Sequence, residues 1–274
     1  MNKVTDQMGR TLLVRQRPLR IVSLVPSQTE LLFDLGLESE IVGLTEFCIH
    51  PAAQVAGKQR VGGPKKFRFD VIARLQPDLI FGNKEENYRE GILQLAESYP
   101  VWMSDILTLA DACAMIRQVG GLVGKGDRAL ALAEQIESAF ARLEICSPPL
   151  RVGYFIWQNP YLVAAANTFI HEMLTRCGFI NVFAGYGNGR YPEVTAEQIR
   201  AARPDIIFLS SEPFPFREKQ RQLVAEQFPE TAVHLVDGEM FSWYGSRLLL
   251  AVDYFQQLQN KLHSGDNMGD CPPR

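Results

Sequence analysis

The sequence predicts an α/β protein made of two similar lobes, each with a parallel sheet, joined by one long backbone helix. Three observations carry this expectation. Short β-branched runs alternate with amphipathic helical stretches along most of the 274 residues, the rhythm of strands linked by crossover helices. "QPDLIFGNKEENYRE" from Gln76 is echoed by "RPDIIFLSSEPFPFRE" from Arg203, and the repeated prolines, Pro77 and Pro204, are 204 − 77 = 127 positions apart. Between the copies, Asp127–Leu143 contains neither glycine nor proline and reads as an unbroken helix. At 1.5 Å per residue it would span roughly 25 Å, a strut rather than a floppy linker.

The elements follow in order. "RIVSLV" (Arg20–Val25) is the first strand of the α/β pattern, and "SQTELLFDLGL" the first helix. Ser27 is the expected N-cap, Glu30 three residues on completes a capping box, and Gly36 closes the C-terminus. "EIVGLT" is a strand, "RFDVIARLQ" a helix, "PDLIFG" a strand, "REGILQLAESY" a helix and "VWMSD" a strand. The second half repeats the rhythm with "RVGYFIW" as strand, "NTFIHEMLTRCG" as helix, "TAEQIRAAR" as helix capped by Thr195, and "PDIIFLS" as strand. "REKQRQLVAEQF", "AVHLVDG" and "SRLLLAVDYFQQLQNKL" then read as helix, strand and long final helix. In each echo the proline ends a helix, because it biases the residue before it away from the α region. Thr108–Ile145 reads as two helical stretches around Gly120–Gly126. The expected domains are residues 1–107, connecting helices over 108–147, a second lobe over 148–263, and a Gly/Pro/Asp-rich tail over 264–274 expected to be disordered.

Composition narrows the function. A formal charge of −3 and a pI near 5.9 give no electrostatic reason to expect nucleic acid or an anionic membrane as partner. No apolar run approaches the ~20 residues that span a bilayer. Within the first twenty residues the only apolar run is Leu12–Val14, short of the roughly 7–15 residues of a leader's h-region. The chain as written therefore reads as cytoplasmic, or as one written without its leader. The five cysteines form no C-x-x-C pair and read as free, mostly buried thiols.

In parallel α/β sheets ligands bind outside the carboxyl ends of the strands, and two such lobes predict a cleft there. The first lobe's strand-end loops offer Pro26, Ser27, Phe47, Cys48, His50, Lys66, Phe67 and Asn83. The second lobe's offer Trp157, Asn159, Arg190, Tyr191, Phe214, Phe216, Phe241, Trp243 and Tyr244. About half of these aromatics are expected simply to pack their loops down, since rings carry large burial energies anywhere. The density that remains suits a large, flat, partly apolar ligand better than a small anion.

"RIVSLVPSQTELLFDLG", "VGG", "LQPDLIFG", "YFIWQNP" and "ARPDIIFL", in that order and spacing, resemble the periplasmic binding-protein family that serves cobalamin, haem and ferric-siderophore importers. The resemblance runs from Arg20 to about Leu262 and is strongest to the vitamin B12-binding branch. It implies two α/β lobes on a backbone helix and little lobe closure. It also implies capture of a metal chelate, with no resident cofactor or metal, by a monomer that delivers it to a membrane ABC permease dimer. "TDQMGRTLLV" resembles the small β-hairpin that often precedes the first lobe. The family implies periplasmic residence and one exposed docking acid on each lobe. The acidic stretches after the Pro-Asp strands supply candidates in Glu86, Glu90 and Glu218, with Glu90 and Glu218 at nearly equal offsets from their prolines. The plainer reading of those acids is that carboxylates favour helix N-termini.

Other motifs are set aside. "HEMLT" from His171 lacks the second histidine of a zinc-protease helix, since Thr175 stands there. "GGLVGKGD" lacks a Walker loop's first glycine, at Val119, and its final Ser or Thr, at Gly126. Cys48 and His50 form a lone Cys-x-His able to ligate a metal, a weak signal against simple loop packing. Ser27 has no recognisable His–Asp partners, so nucleophilic catalysis lacks support and the chain is not read as an enzyme. Two alternatives remain: a cytoplasmic chelatase-like enzyme that uses His50 with Glu46 or Glu85 on a tetrapyrrole, and a cytoplasmic ligand sensor.

Overall fold

The computed structural model describes residues 1–145, 147–187 and 189–264. Cys146, Asn188 and the tail beyond residue 264 lie outside the described residues. The chain divides into two compact units. The first comprises Met1–Ile106, Ala110–Ser138 and Trp243–Leu248; the second comprises Leu107–Leu109, Ala139–Ser242 and the chain from Leu249 on.

The first unit opens with β1 (Asn2–Thr5) and β2 (Thr11–Val14), an antiparallel hairpin. Then come β3 (Ile21–Ser23), α1 (Pro26–Asp34), β4 (Ile41–Leu44), α2 (Ala52–Val55) and β5 (Gln59–Arg60). A two-rung hairpin of β6 (Gly62–Gly63) and β7 (Lys66–Phe67) leads to α3 (Phe69–Leu75), β8 (Leu79–Asn83), α4 (Arg89–Ala96) and β9 (Val101–Ser104). The five strands order as β5-β4-β3-β8-β9, parallel throughout. Residues of β3, β8 and β9 are all buried, as strands with helices on both faces must be.

Two expectations are corrected, at the start of α1 and at Gly120–Gly126. Ser27 is not the N-cap of α1: Pro26 starts the helix after Val25, which makes no side-chain cap, because proline's φ suits the first helical position. Glu30 therefore completes no capping box, and its carboxylate accepts from Arg247 instead. Helix α5 (Leu109–Leu122) runs through Gly120 and Gly121 without a break. Gly120 serves close packing, since a Cβ there would lie 2.1 Å from that of Ala129. The turn falls at Gly124, at φ +72°, before α6 (Gly126–Ala141). Helix α6 is unbroken, as its composition predicts, and the division between the units falls within it, after Ser138.

The second unit holds β10 (Arg151–Trp157), β11 (Tyr161–Val163), α7 (Phe169–Arg176), β12 (Ile180–Asn181), β13 (Glu193–Val194) and α8 (Ala196–Ala202). It continues with β14 (Ile206–Ser210), α9 (Glu218–Gln227), β15 (Ala232–Val236), α10 (Gly238–Ser242) and α11 (Leu248–Ser264). Thr195 caps α8 in a full capping box with Gln198, as its sequence predicts. The sheet orders as β13-β11-β10-β14-β15, with β12 also on β10. Its β10, β12, β14 and β15 pairings are parallel. It is not a wholly parallel sheet, because β11 folds back antiparallel on β10 and β13 antiparallel on β11. The turn responsible passes through Asn159 at φ +62°, a left-handed conformation that asparagine tolerates better than most residues.

The sequence echo is a repeated clasp. Both helices end on a left-handed residue, Gln76 (φ 47°, ψ 59°) and Arg203 (φ 46°, ψ 60°). The aspartate after each proline then accepts from the backbone at the start of the neighbouring strand. Asp78 takes the amides of Leu19 and Arg20, each at 2.9 Å, and Asp205 takes that of Arg151 at 2.8 Å. The arginines answer: Arg20 Nε donates to Leu75 O at 2.7 Å, and Arg151 Nη2 to Ala202 O at 2.7 Å. The orphan carbonyls of a helix end thus find partners in the strand that must lie beside it.

Strand β9 is the outer strand of its sheet, a position that leaves a row of backbone groups open. The β1–β2 turn closes it without adding a strand. Arg10 Nη2 donates to Val101 O (2.8 Å), the Met103 amide donates to Asp6 Oδ2 (3.2 Å), and the Gln7 amide donates to Met103 O (3.1 Å). The Asp105 amide donates to Gln7 Oε1 at 3.3 Å. Asp6 is 4 % exposed and also accepts from the Met8 and Arg10 amides and the Arg10 guanidinium.

Candidate functional site

In the first unit, the carboxyl ends of β3, β4 and β8 release the loops that carry most of the expected site residues. Pro26 and Ser27 sit in the first turn of α1 and are buried. The loop after β4 is pinned from below, where Arg60 Nη1 donates to the carbonyls of Thr45 (2.8 Å) and Cys48 (2.9 Å). This leaves Phe47 61 % exposed while Cys48 is wholly buried. The Cys48 Sγ lies 3.0 Å from Thr29 Oγ1 and 3.1 Å from Thr45 Oγ1. Burial pushes the Cys48 thiol up, against the hydrogen bonds from Thr29 and Thr45, and so disfavours the thiolate that a metal needs. Among the described residues, no group of three or more His, Cys, Asp or Glu could hold a metal ion.

Lys66 is exposed on β7, but Phe67 beside it is buried in the core, against Phe69 and Tyr88. Asn83 is buried and spent on its own loop. Its Oδ1 accepts from the Glu85 (2.8 Å) and Glu86 (3.1 Å) amides, and its Nδ2 donates to Ser104 Oγ at 2.9 Å. This is an Asx-type brace that fixes loop shape.

The segment Trp243–Leu248 belongs to this unit as well. Tyr244 Oη donates to Glu86 Oε1 at 3.0 Å, and burial pushes the Tyr244 phenol well above its ordinary range, with the Glu86 charge adding to it. The Trp243 ring lies 5.5 Å from that of His50, edge to face at 72°.

In the second unit, Trp157 ends β10 and is 40 % exposed, with Phe214 edge-on at 5.4 Å. Asn159 is exposed in the turn beyond it, and Arg190 and Tyr191 are half-buried in the loop before β13. Phe216 and Phe241 are placed differently from the sequence expectation. Phe216 is 3 % exposed and packs in the core under α9, while Phe241 is 0 % exposed among Tyr154, Phe208 and Phe255. Rings this large stabilise most where they are wholly removed from water, and neither leaves surface for a ligand.

The three candidate docking acids also differ. Glu86 is occupied by Tyr244. Glu90 is exposed in the first turn of α4, and Glu218 is exposed at the start of α9, where Arg221 grips it with Nε at 2.7 Å and Nη2 at 2.6 Å. Side-chain hydrogen bonding by Arg221 holds the Glu218 carboxyl below its usual range.

The arrangement is therefore two α/β units, each presenting aromatic rings and polar groups at its strand carboxyl ends, with no metal cluster among the described residues. Residues 21–233 match the periplasmic binding protein family. The chain belongs to that family. This periplasmic binding protein is 26% identical over 253 residues to the vitamin B12-binding protein of Pectobacterium carotovorum, covering 89% of this chain and 88% of the relative. It is 26% identical over 195 residues to that of Vibrio campbellii, covering 70% of each. In structure it is similar to the periplasmic haem-binding protein of Roseiflexus sp. RS-1 in its apo form, with a TM-score of 0.77, 23% identity, and coverage of 88% of this chain and 98% of that one. The vitamin B12-binding protein of Vibrio cholerae gives a TM-score of 0.70 at 24% identity, covering 89% and 98%. At these identities the solved structures speak for the fold, which is that of a periplasmic binding protein built from two α/β units.

Proposed function

We propose that this chain is the solute-binding component of an ABC-type importer and that it captures a metal chelate of the cobalamin class. The observation that carries this reading is the aromatic surface that each unit exposes at its strand carboxyl ends, Phe47 in the first and Trp157, beside the half-buried Phe214, in the second. A corrin ring is wide, flat and largely apolar at its faces, and such ligands are held by aromatic area with a few polar groups at the rim. The curated relatives named as vitamin B12-binding proteins favour a corrinoid over haem or a ferric siderophore. The polar rim falls to Lys66, Asn159, Arg190 and Tyr191. Family membership supports delivery to a permease in the periplasm, with Glu90 and Glu218 the acids that offer exposed charge to it.

Titration with cyanocobalamin is expected to quench tryptophan fluorescence saturably. Phe47→Ala and Trp157→Ala are each expected to raise Kd by about tenfold or more, ~1.4 kcal/mol per tenfold. Tighter binding of haemin or a ferric siderophore than of cyanocobalamin would move the ligand class, and unchanged affinity in both variants would remove the aromatic faces from the site. For the permease, Glu90→Arg combined with Glu218→Arg is expected to leave cyanocobalamin affinity within about twofold and to abolish co-purification with the transporter. Intact association would place docking elsewhere.

A further inference from the structure

Arg247 and Glu30, 217 positions apart, form a nearly buried ion pair, 8 % and 9 % exposed. Arg247 Nε donates to Glu30 Oε2 at 2.9 Å and Nη2 to Oε1 at 2.6 Å, a two-point grip that fixes the plane of the guanidinium as well as its position. That plane is then used. The guanidinium carbon lies 4.9 Å from the centroid of the Trp243 ring, which is 7 % exposed, and the half-buried His50 meets the same ring edge-on. The chain around them is held equally closely, since a Cβ on Gly245 would sit 2.8 Å from Ser27 O. The stack Glu30–Arg247–Trp243–His50 runs from the second turn of α1 outward to the loop after β4, which is the loop that presents Phe47.

A pair meant only for stability has no need of this order. Burial pushes the Glu30 carboxyl up, and Arg247 opposes it through hydrogen bonds and charge. Replacing a buried ion pair by two hydrophobic residues of similar volume often costs no stability. What they could not do is orient an indole by its face while the imidazole packs on it.

We infer that Glu30 and Arg247 are positioning residues for the ligand site, setting the Trp243 ring and through it the His50 imidazole at the strand ends of the first unit. This rests on the cobalamin-class reading above. Neither residue need touch the ligand; their action is on Trp243 and His50.

The test uses the full chain with Glu30→Gln, which keeps the side-chain shape, and Arg247→Lys, which keeps the charge but loses the fork. The readouts are cyanocobalamin Kd and the NMR signals of the Trp243 indole N–H and the His50 ring, with the Trp102 and Trp157 indoles as internal references. In both variants the Trp243 and His50 signals are expected to shift or broaden while those of Trp102 and Trp157 hold, and Kd to rise about tenfold. Signals that move while Kd stays the same would overturn the inference, leaving a purely structural pair. Unmoved signals would overturn it as well. Shifts in all the indoles together would mark general loosening and overturn it too. If the unaltered chain binds neither cyanocobalamin nor haemin, the functional reading fails and takes the inference with it. That outcome is distinct from a wild type that binds and variants that bind equally.

Discussion

Phe241→Ala is expected to cost about 3–5 kcal/mol of stability while leaving cyanocobalamin affinity unchanged in the protein that remains folded. By sequence, Phe241 stands in "GEMFSWYG", two residues before Trp243, and looks as available to a ligand as its neighbour. In the structure its ring is wholly buried, 4.8 Å from Phe255, 5.1 Å from Tyr154 and 6.1 Å from Phe208. Truncation removes the contacts of a whole ring and leaves a cavity that these large neighbours can only partly collapse into. Thermal or denaturant unfolding checks the first half of the expectation, and titration well below the new transition checks the second. A loss of affinity at full folding would return Phe241 to the ligand site.

Asp6→Ala should cost roughly 3 kcal/mol, near the lower end for breaking a buried ion pair. One carboxylate serves three backbone amides, of Met8, Arg10 and Met103, and the Arg10 guanidinium besides. Its removal leaves Arg10 without the anchor that holds it on Val101 O and opens the outer edge of β9. Hydrogen exchange reads the result directly. The Met103 and Asp105 amides should lose protection, while amides of the second unit such as Phe208, on the interior strand β14, should not. Unchanged protection at Met103 would mean that the turn is not what closes the edge. An opened strand edge also pairs with other chains, so the variant is expected to self-associate with rising concentration, measurable by sedimentation.

What could be read from the sequence followed from local chemistry. The strand-helix rhythm, the Thr195 cap, the run without helix breakers before Ala141 and the Pro-Asp echo all depend on residues within a few positions of one another, and all appear in the fold. The turn before β11 is legible too, because "QNPY" carries a turn signal, but the antiparallel return of β11 depends on its pairing with β10. The site was less legible. Phe47 and Phe67, or Trp157 and Phe216, look alike in a loop, since strand-end segments lack the periodicity that separates inward from outward. Glu30 three residues after Ser27 matches a capping box so well that nothing local points to Arg247, 217 positions on. Asn83 looks like a ligand group by sequence, because its role as a brace depends on Ser104, from the next strand.

The first unit is not continuous in the chain, and this bears on how the protein is made. Glu30 leaves the ribosome 217 residues ahead of Arg247, about 10–40 s at bacterial and eukaryotic elongation rates of roughly 5–20 residues per second. Once β9 has emerged, the nascent N-terminal sheet has all five of its strands but still lacks Trp243–Leu248, and the Glu30 carboxylate lacks its Arg247 partner. Long-range closure of this kind comes late in folding because the intervening loop entropy must be overcome first. The half of the protein that is synthesised first is therefore finished only after every strand of the second unit's sheet has been made, and a chaperone bound during translation would find its substrate in the older half.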